Sequence, residues 1–273
     1  MADGTSSSGR ASALVLAAQR EGRVDPLAAA HNITHKCMVP VAGMPLIEHV
    51  VQSLVTSPDI GEVLISIENP AVVRDVPAFQ PYLKSGRVRI VRSRDNLADS
   101  VADAAKEAEM PLLITTADNV LLTHAMIREL IEGATAADVA LGLARREAVL
   151  AAHPEGQRRF YEFYDGVFSN CNLYWIGNRE ALKAIEIFRT GGQFVRHPGR
   201  ILKALGLINL IAFIFGVGSA AGALRRISRR LGLTLKSVTM SDGAAAIDVD
   251  NVRSHGIAEG ILLDRRKAWR EAA

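Results

Sequence analysis

Apolar residues recur along this chain in short blocks, some with the pattern of a buried strand and some with that of a helix. Residues 13–16 form a continuous apolar run of strand length. In residues 46–54 the apolar positions recur every three or four residues, as on one face of a helix. Pro45 suits the start of that helix, because proline lacks the N–H that the first turn leaves unpaired. Residues 62–67 predict the next strand, which completes a strand–helix–strand unit.

The same alternation continues to the end of the chain. We predict strands at 88–91, 111–115, 138–144, 234–239 and 246–249, and helices at 97–108, 179–188 and 252–270. Residues 160–176 differ, because Asp165 and Gly166 separate two aromatic runs, which predicts an antiparallel hairpin near the sheet edge. The pattern therefore favours an α/β fold with three layers, in which a mostly parallel twisted sheet carries helices on both faces and a small antiparallel insertion.

Composition narrows the class of protein. The chain has 273 residues and a net charge of +3, which does not by itself indicate a nucleic-acid partner. Residues 1–10 are rich in Gly and Ser and predict a disordered tail without a secretory signal, followed by one domain over 11–273. Cys37 and Cys171 are far apart without a C-x-x-C spacing, which favours a reducing cytoplasm over a disulfide framework.

Two loops are expected at the same edge of the sheet. The loop after residue 16 begins with Ala17 and Ala18 and continues through basic residues to Lys36, a composition that can hold phosphate groups. An ordinary solvated loop fits the same letters. Asp118 follows the strand at 111–115. Ligands of open α/β sheets bind beyond the carboxyl ends of the strands, so both loops can face one crevice.

The order strand, LAA, glycine and arginine loop, then K-x-x-x-P-x-x-G-x-P-L-I resembles the signature of nucleotidyltransferases with the molybdenum-cofactor-guanylyltransferase-like fold. The matching residues are Leu16, Ala17, Ala18, Gly22, Arg23, Lys36, Pro40, Gly43, Pro45 and Leu46. Such enzymes move a nucleoside monophosphate from an NTP onto a phosphate or sugar phosphate. This chain departs at Gln19, where the family usually has glycine, and by an insertion at 25–34.

The resemblance implies roles for several residues of the chain. Ala17, Ala18, Gln19, Gly22 and Arg23 would hold the nucleotide triphosphate, while Lys36, Arg23 and Asp118 would be the catalytic residues. Asn96 and Ser100 would face the nucleobase, although helix capping explains Asn96 equally well. Asn170 and Asn172 would lie near the acceptor.

Asp118, Asp248 and Asp250 are the expected Mg²⁺ ligands. Asp248 and Asp250 are two residues apart, so in an extended chain both carboxylates face the same side and can address one cation. Mg²⁺ usually takes one or two carboxylates together with phosphate oxygens and waters. A turn at the end of a strand accounts for the same aspartates. His31 and His35 have no third ligand nearby, and we interpret them as an exposed loop pair.

The region 197–232 has an unusual composition and is interpreted as an apolar and basic helical elaboration. Residues 204–224 carry no formal charge, while arginines and a lysine flank them on both sides. Glycines interrupt the run, so shorter helices fit better than a membrane span. These helices can pack in the core, or residues 204–230 can rest on anionic lipid.

The predicted function is therefore Mg²⁺-dependent nucleotidyl transfer from an NTP to a phosphorylated small-molecule or lipid-like acceptor. The expected location is the cytoplasm, with peripheral contact to the inner face of the membrane. A homodimer is compatible with the sequence. A GT-A-like glycosyltransferase and a non-catalytic nucleotide-binding or membrane-surface module are the alternatives. Release of pyrophosphate from NTP distinguishes the first function from both.

Overall fold

The computed structural model describes residues 9–19, 24–188 and 219–272. The strands are β1 Ala11–Leu16, β2 Pro40–Val41, β3 Met44–Pro45, β4 Ile60–Ile67, β5 Val88–Arg92, β6 Leu112–Thr116, β7 Val139–Arg145, β8 Tyr161–Phe163, β9 Gly166–Ile176 and β10 Leu235–Met240. The α-helices are α1 Pro26–Ala30, α2 Leu46–Val55, α3 Ala71–Arg74, α4 Gln80–Lys84, α5 Leu97–Glu107, α6 His124–Gly133, α7 Arg146–Ala152, α8 Ala220–Leu231 and α9 Val252–Ala272. The 3-10 helices within these ranges are Lys36–Met38, Pro77–Phe79, Arg179–Phe188 and Gly243–Ala246.

Eight strands form one mixed sheet in the order β10-β7-β9-β6-β1-β4-β5, with β8 paired to β9 outside this path. β1 pairs in parallel with both β4 and β6, and β7 pairs in parallel with β10. β9 is antiparallel to both of its neighbours, β6 and β7. β2 and β3 form a separate antiparallel pair. The predicted α/β architecture with a mostly parallel sheet is confirmed.

The sequence predicts the hairpin of β8 and β9 near the edge of the sheet, but β9 lies inside the sheet. This long second strand of the hairpin inserts between β6 and β7 and completes the middle of the sheet. The physical reason is that β9 carries buried apolar residues on both faces, such as Cys171 and Leu173 on one side and Ile176 on the other. A strand of this kind is stable only when it is covered on both faces.

Helices cover the two faces of the sheet. Along β1, Ala13 and Val15 belong to one apolar cluster, whereas Leu14 belongs to the other, because successive side chains of a strand point to opposite faces. The first cluster includes residues of α2 and α6, and the second includes residues of α5. This packing fixes the carboxyl ends of β1, β4, β5 and β6 along one edge, where the loops that follow them form the site.

Residues 246–249 do not form the predicted strand. A 3-10 turn, Gly243–Ala246, is followed by a chain whose Val249 N–H donates to the Asp118 carbonyl at 3.1 Å, beyond the end of β6. A Cβ atom at Gly243 would lie 2.1 Å from the Ala148 backbone in α7, so only glycine permits this approach. The segment is therefore held against the end of the sheet instead of joining a strand ladder.

Most of the apolar segment 204–224 lies outside the described residues, because residues 189–218 are not described. α8 follows them, begins with Ser219 as its N-cap and ends at Gly232 in the left-handed conformation. Within the described ranges, no helix combines the length and the apolar character needed to cross a membrane.

Candidate active site

The loop after β1 begins with tightly fixed small residues. The N–H of the buried Ala17 donates to the carbonyl of Ser66 at 2.9 Å, and Ala18 beside it is exposed. The Gln19 N–H donates to Glu68 Oε2 at 3.2 Å. The side-chain Oε1 of Gln19 is buried and accepts no hydrogen bond among the described residues. The contact of Gln19 with Glu68 is thus made by its backbone N–H, while Gly22 and Arg23 lie outside the described residues.

Lys36 lies between two carboxylates that come from distant parts of the chain. Its Nζ atom is 2.6 Å from Asp118 Oδ2 and 2.7 Å from Asp250 Oδ1. Its side chain is 19% exposed, so few waters can screen these contacts. Burial opposes the charged form, but the two carboxylates outweigh it and raise the pKa of Lys36 above its ordinary value. Lys36 is therefore held in its protonated, positively charged form.

Asp118 follows β6 and is oriented by short contacts. Its Oδ1 accepts a hydrogen bond from Thr116 Oγ at 2.5 Å, while Oδ2 meets Lys36. The Asp118 side chain is 18% exposed. The backbone bond from Val249 to Asp118 draws the 248–250 segment beside it. Two loops that are 130 residues apart in sequence thus meet at the carboxyl end of β6.

Asp248 and Asp250 lie on either side of Val249 but have different surroundings. Asp250 is 61% exposed and contacts Lys36, whereas Asp248 accepts a hydrogen bond from Asn172 Nδ2 at 3.0 Å. Burial first, and then the nearby charges of Asp250 and Asp118, raise the pKa of Asp248 to about 7. The Asp248 and Asp250 carboxylates therefore lie beside the same region, but Asp248 is partly buried and Asp250 is exposed. A cation between them would relieve their mutual repulsion.

The donor set suits a hard cation such as Mg²⁺, which prefers carboxylate oxygens. Among the described residues, no three His, Cys, Asp or Glu side chains are arranged as a ready-made metal site. The ammonium of Lys36 instead bridges Asp118 and Asp250, and Asp248 stands beside them. The three aspartates predicted from the sequence are thus brought together, and their chemistry fits the ion.

The side chains of Asn96 and Ser100 both accept hydrogen bonds from backbone N–H groups close to them in the chain. Asn96 Oδ1 accepts from the Asp99 N–H at 2.9 Å, which is a helix N-cap. Ser100 is buried, and its hydroxyl accepts from the Arg94 N–H at 2.8 Å. These contacts hold the loop after β5 in place, at the same edge as the loop after β1.

A cleft of about 830 Å³ lies beside the carboxylates, between the hairpin and the start of α9. Asp248, Asp250 and Asn172 line one part of it, and Arg158, Arg159 and Arg253 line another. Gln157 Oε1 accepts from the N–H groups of Arg158 at 2.9 Å and of Arg159 at 3.2 Å, which fixes the loop that carries both arginines.

Sequence reasoning missed these three arginines. Arg158 and Arg159 are exposed, and no side-chain hydrogen bond or ion pair to another described residue is observed for either. Arg253 donates to the carbonyl of Glu155. Their signal in the sequence was the pair of adjacent arginines directly before the aromatic hairpin.

The sequence from residue 13 to 203 matches the model of the MobA-like NTP transferase domain. This match covers more than half of the chain. The protein belongs to the MobA-like NTP transferase family. Comparison with curated proteins gave no match.

Solved structures support the same fold for this MobA-like protein. A hypothetical transferase from Thermus thermophilus has a TM-score of 0.74 at 24% identity, covering 90% of this chain and 99% of that chain. A CMP:2-keto-3-deoxy-manno-octonic acid synthetase in complex with CTP has a TM-score of 0.58 at 12% identity, covering 94% and 99%. A 4-diphosphocytidyl-2C-methyl-D-erythritol synthase from Anaerococcus prevotii has a TM-score of 0.56 at 10% identity, covering 93% and 97%. At these identities the similarity establishes the fold.

Proposed function

We propose that this protein is a Mg²⁺-dependent nucleotidyltransferase that moves a nucleoside monophosphate from an NTP onto a phosphorylated acceptor. The observation that carries this proposal is the position of Lys36, between Asp118 and Asp250 and beyond the carboxyl end of β6. An ammonium beside clustered carboxylates is suited to a reaction in which negative charge moves between phosphate oxygens.

In the proposed reaction, an oxygen of the acceptor phosphate attacks the α-phosphorus of the NTP. The bond between that phosphorus and the bridging oxygen of the β-phosphate breaks, and pyrophosphate leaves with the bonding electron pair. Lys36 stabilises the charge that develops on the phosphate oxygens. No nucleophilic side chain is needed, because the acceptor itself is the nucleophile.

Asp118, Asp248 and Asp250 are the residues that would hold Mg²⁺. When bound, the ion would supply Lewis-acid stabilisation of the phosphate oxygens. The triphosphate would lie over the loop of Ala17, Ala18 and Gln19, continued by Gly22 and Arg23. Asn96 and Ser100 serve the nucleobase site through the loop that they hold in shape.

We propose that the acceptor binds in the cleft beside Asp248, because arginines line part of that cleft. Arg158 and Arg159 present two guanidinium groups on a loop fixed by Gln157. Guanidinium groups form paired, charge-assisted hydrogen bonds with phosphate oxygens. This chemistry supports a phosphorylated acceptor.

A lipid-like phosphate is the acceptor class that also explains the basic helix α8. Arg225, Arg226, Arg229 and Arg230 lie along this helix, directly after the apolar residues 204–218. Arginines near an anionic bilayer each contribute about 1 kcal/mol of attraction, which salt weakens. The proposed location is therefore the cytoplasmic face of the membrane, with peripheral contact through residues 204–230.

The function is tested by incubating the full chain and MgCl₂ with each of the four NTPs, against a panel of phosphorylated sugars, alditols and polyprenyl phosphates. Pyrophosphate release is measured, and the product is identified by mass spectrometry. Acceptor-dependent pyrophosphate release with an NMP–acceptor product supports the proposal. In a parallel incubation with nucleotide sugars, transfer of the sugar without pyrophosphate release would indicate the glycosyltransferase instead. Nucleotide binding without turnover would indicate the non-catalytic module.

A further inference from the structure

β9 leaves its regular pairing at the point where it passes the three aspartates. Leu141 of β7 is opposite Tyr174, and Leu143 is opposite Asn170, so one residue of β7 faces three residues of β9. The extra residues form a bulge whose centre is Asn172, with a φ of +50°. Among residues with a side chain, asparagine is one of the few that tolerate this left-handed conformation.

Asn119 holds the bulge from the other side. It follows Asp118 directly in the chain, and the residue is 1% exposed. Its Nδ2 atom donates to the Cys171 carbonyl at 3.1 Å and to Thr115 Oγ at 3.2 Å. The residue beside Asp118 in the sequence thus fixes the backbone beside Asn172.

The bulge turns Asn172 towards Asp248, whose Oδ2 accepts from Asn172 Nδ2 at 3.0 Å. The other end of this amide is also fixed, because Asn172 Oδ1 accepts from Asn170 Nδ2 at 3.0 Å. The bond from Val249 N–H to the Asp118 carbonyl then completes a closed circuit of contacts. The circuit joins Asp118 through Asn119, Cys171, Asn172 and Asp248 back to Asp118.

We infer that Asn172 is a positioning residue, which orients the Asp248 carboxylate relative to Asp118 so that both can bind one divalent cation. This inference rests on the proposed metal centre. It differs from the role implied by the family resemblance, in which Asn172 lies near the acceptor. The Asn172 amide donates its hydrogen bond to the Asp248 carboxylate. Groups that hydrogen-bond a metal-binding carboxylate control the orientation of that carboxylate and its affinity for the metal.

The variant Asn172→Gly tests the inference, because glycine accepts a φ of +50° and removes only the amide. Asn32→Gly is the matched control, since Asn32 is an exposed asparagine with a φ of +56° outside the circuit. Mn²⁺ is titrated calorimetrically into each full-length protein, alone and with each of the four α,β-methylene NTPs, against blanks that contain nucleotide without protein. Melting temperatures and the KM for the acceptor are measured in parallel.

We expect Asn172→Gly to weaken Mn²⁺ binding about 10- to 100-fold. Its melting temperature should be close to that of the Asn32→Gly control. At saturating metal the acceptor KM should remain that of the native protein. Unchanged Mn²⁺ affinity with a raised acceptor KM would overturn the inference and make Asn172 an acceptor contact. Native protein that binds no Mn²⁺ in either titration would also overturn it. Asn172-dependent Mn²⁺ binding without turnover of any NTP would leave the inference standing and refute the proposed function.

Discussion

The Nζ atom of Lys36 lies 2.6 Å from Asp118 Oδ2, although the two residues are separated by 82 positions in the chain. A second carboxylate, that of Asp250, is 2.7 Å from the same nitrogen. The ammonium thus occupies a position between two oxygen ligands that a divalent cation would also favour.

Asp118→Asn should lower turnover by about 100-fold or more, because it removes a full charge from the centre where phosphate charge is balanced. The fold should be retained. An asparagine oxygen can still accept from Thr116, and the backbone bond from Val249 does not depend on the side chain. Pyrophosphate release and thermal melting are measured together. Native-like turnover in this variant would remove Asp118 from the mechanism.

Lys36→Met should lower kcat by about 100-fold and change the KM for NTP much less, because charge stabilisation acts most strongly in the transition state. Lys84→Met is the control, since Lys84 is an exposed lysine at the end of α4. Steady-state kinetics of both variants give the comparison. A rise in the KM for NTP with unchanged kcat would make Lys36 a binding residue only.

The same Lys36→Met variant should melt at a lower temperature than the native protein without divalent ions, because Asp118 and Asp250 lose their shared counter-ion. Mg²⁺ should stabilise the variant more than the native protein, since the ion no longer competes with an ammonium and ligand binding adds directly to folding stability. Melting curves at increasing MgCl₂ measure both effects. An equal gain in the two proteins would show that Lys36 and the ion do not share a position.

Arg158→Ala and Arg159→Ala should each raise the KM for the acceptor by about 10-fold or more, as expected when a charge-assisted hydrogen bond worth about 1.5 kcal/mol or more is lost. The KM for NTP should not change. Arg128→Ala is the control, because Arg128 is an exposed arginine of α6 paired with Asp59. Acceptor kinetics that match the control would exclude these arginines from the acceptor site.

The basic helix α8 predicts binding to anionic vesicles. Arg225→Gln together with Arg229→Gln should weaken that binding about 30-fold at low salt, since each exposed arginine near the surface contributes about 1 kcal/mol. Arg74→Gln together with Lys84→Gln is the control, because these exposed residues follow β4 near the opposite edge of the sheet. Flotation with phosphatidylserine vesicles at low and high salt is the measurement. If the native protein stays away from the vesicles at low salt, a small soluble phosphate becomes the acceptor to test.

The sequence predicted the fold well where a local pattern determines the element. The helix capped by Asn96 and the strand before Asp118 follow from capping and from apolar runs, and both are present. The central position of β9 did not follow, because the pairing of a strand depends on partners far away in the chain. The segment at 246–249 was wrong as a strand for a similar reason, since its backbone bond goes to Asp118.

The contacts among Lys36, Asp118 and Asp250 became visible only in three dimensions, and the role of the three aspartates as metal ligands stays a prediction. No local pattern connects Lys36 with Asp250, which is 214 positions away. The bulge at Asn172 is equally invisible in the sequence, because it depends on the contact of Asn119 with Cys171 across two strands. Arg158, Arg159 and Arg253 also became candidate site residues only once the structure showed that they line the same cleft as Asp248.

In the proposed reaction, an acceptor phosphate beside Lys36 and Asp118 breaks the bond between the α-phosphorus of an NTP and the bridging oxygen of its β-phosphate. This reaction is tested by following α-³²P and γ-³²P NTP in parallel, with the native protein and with Asp118→Asn. We expect the native protein to transfer the α-label to the acceptor product and to release the γ-label as pyrophosphate. EDTA should abolish both, and Asp118→Asn should slow both by about 100-fold or more. Transfer of the γ-label to the acceptor, or its release as inorganic phosphate alone, would contradict nucleotidyl transfer.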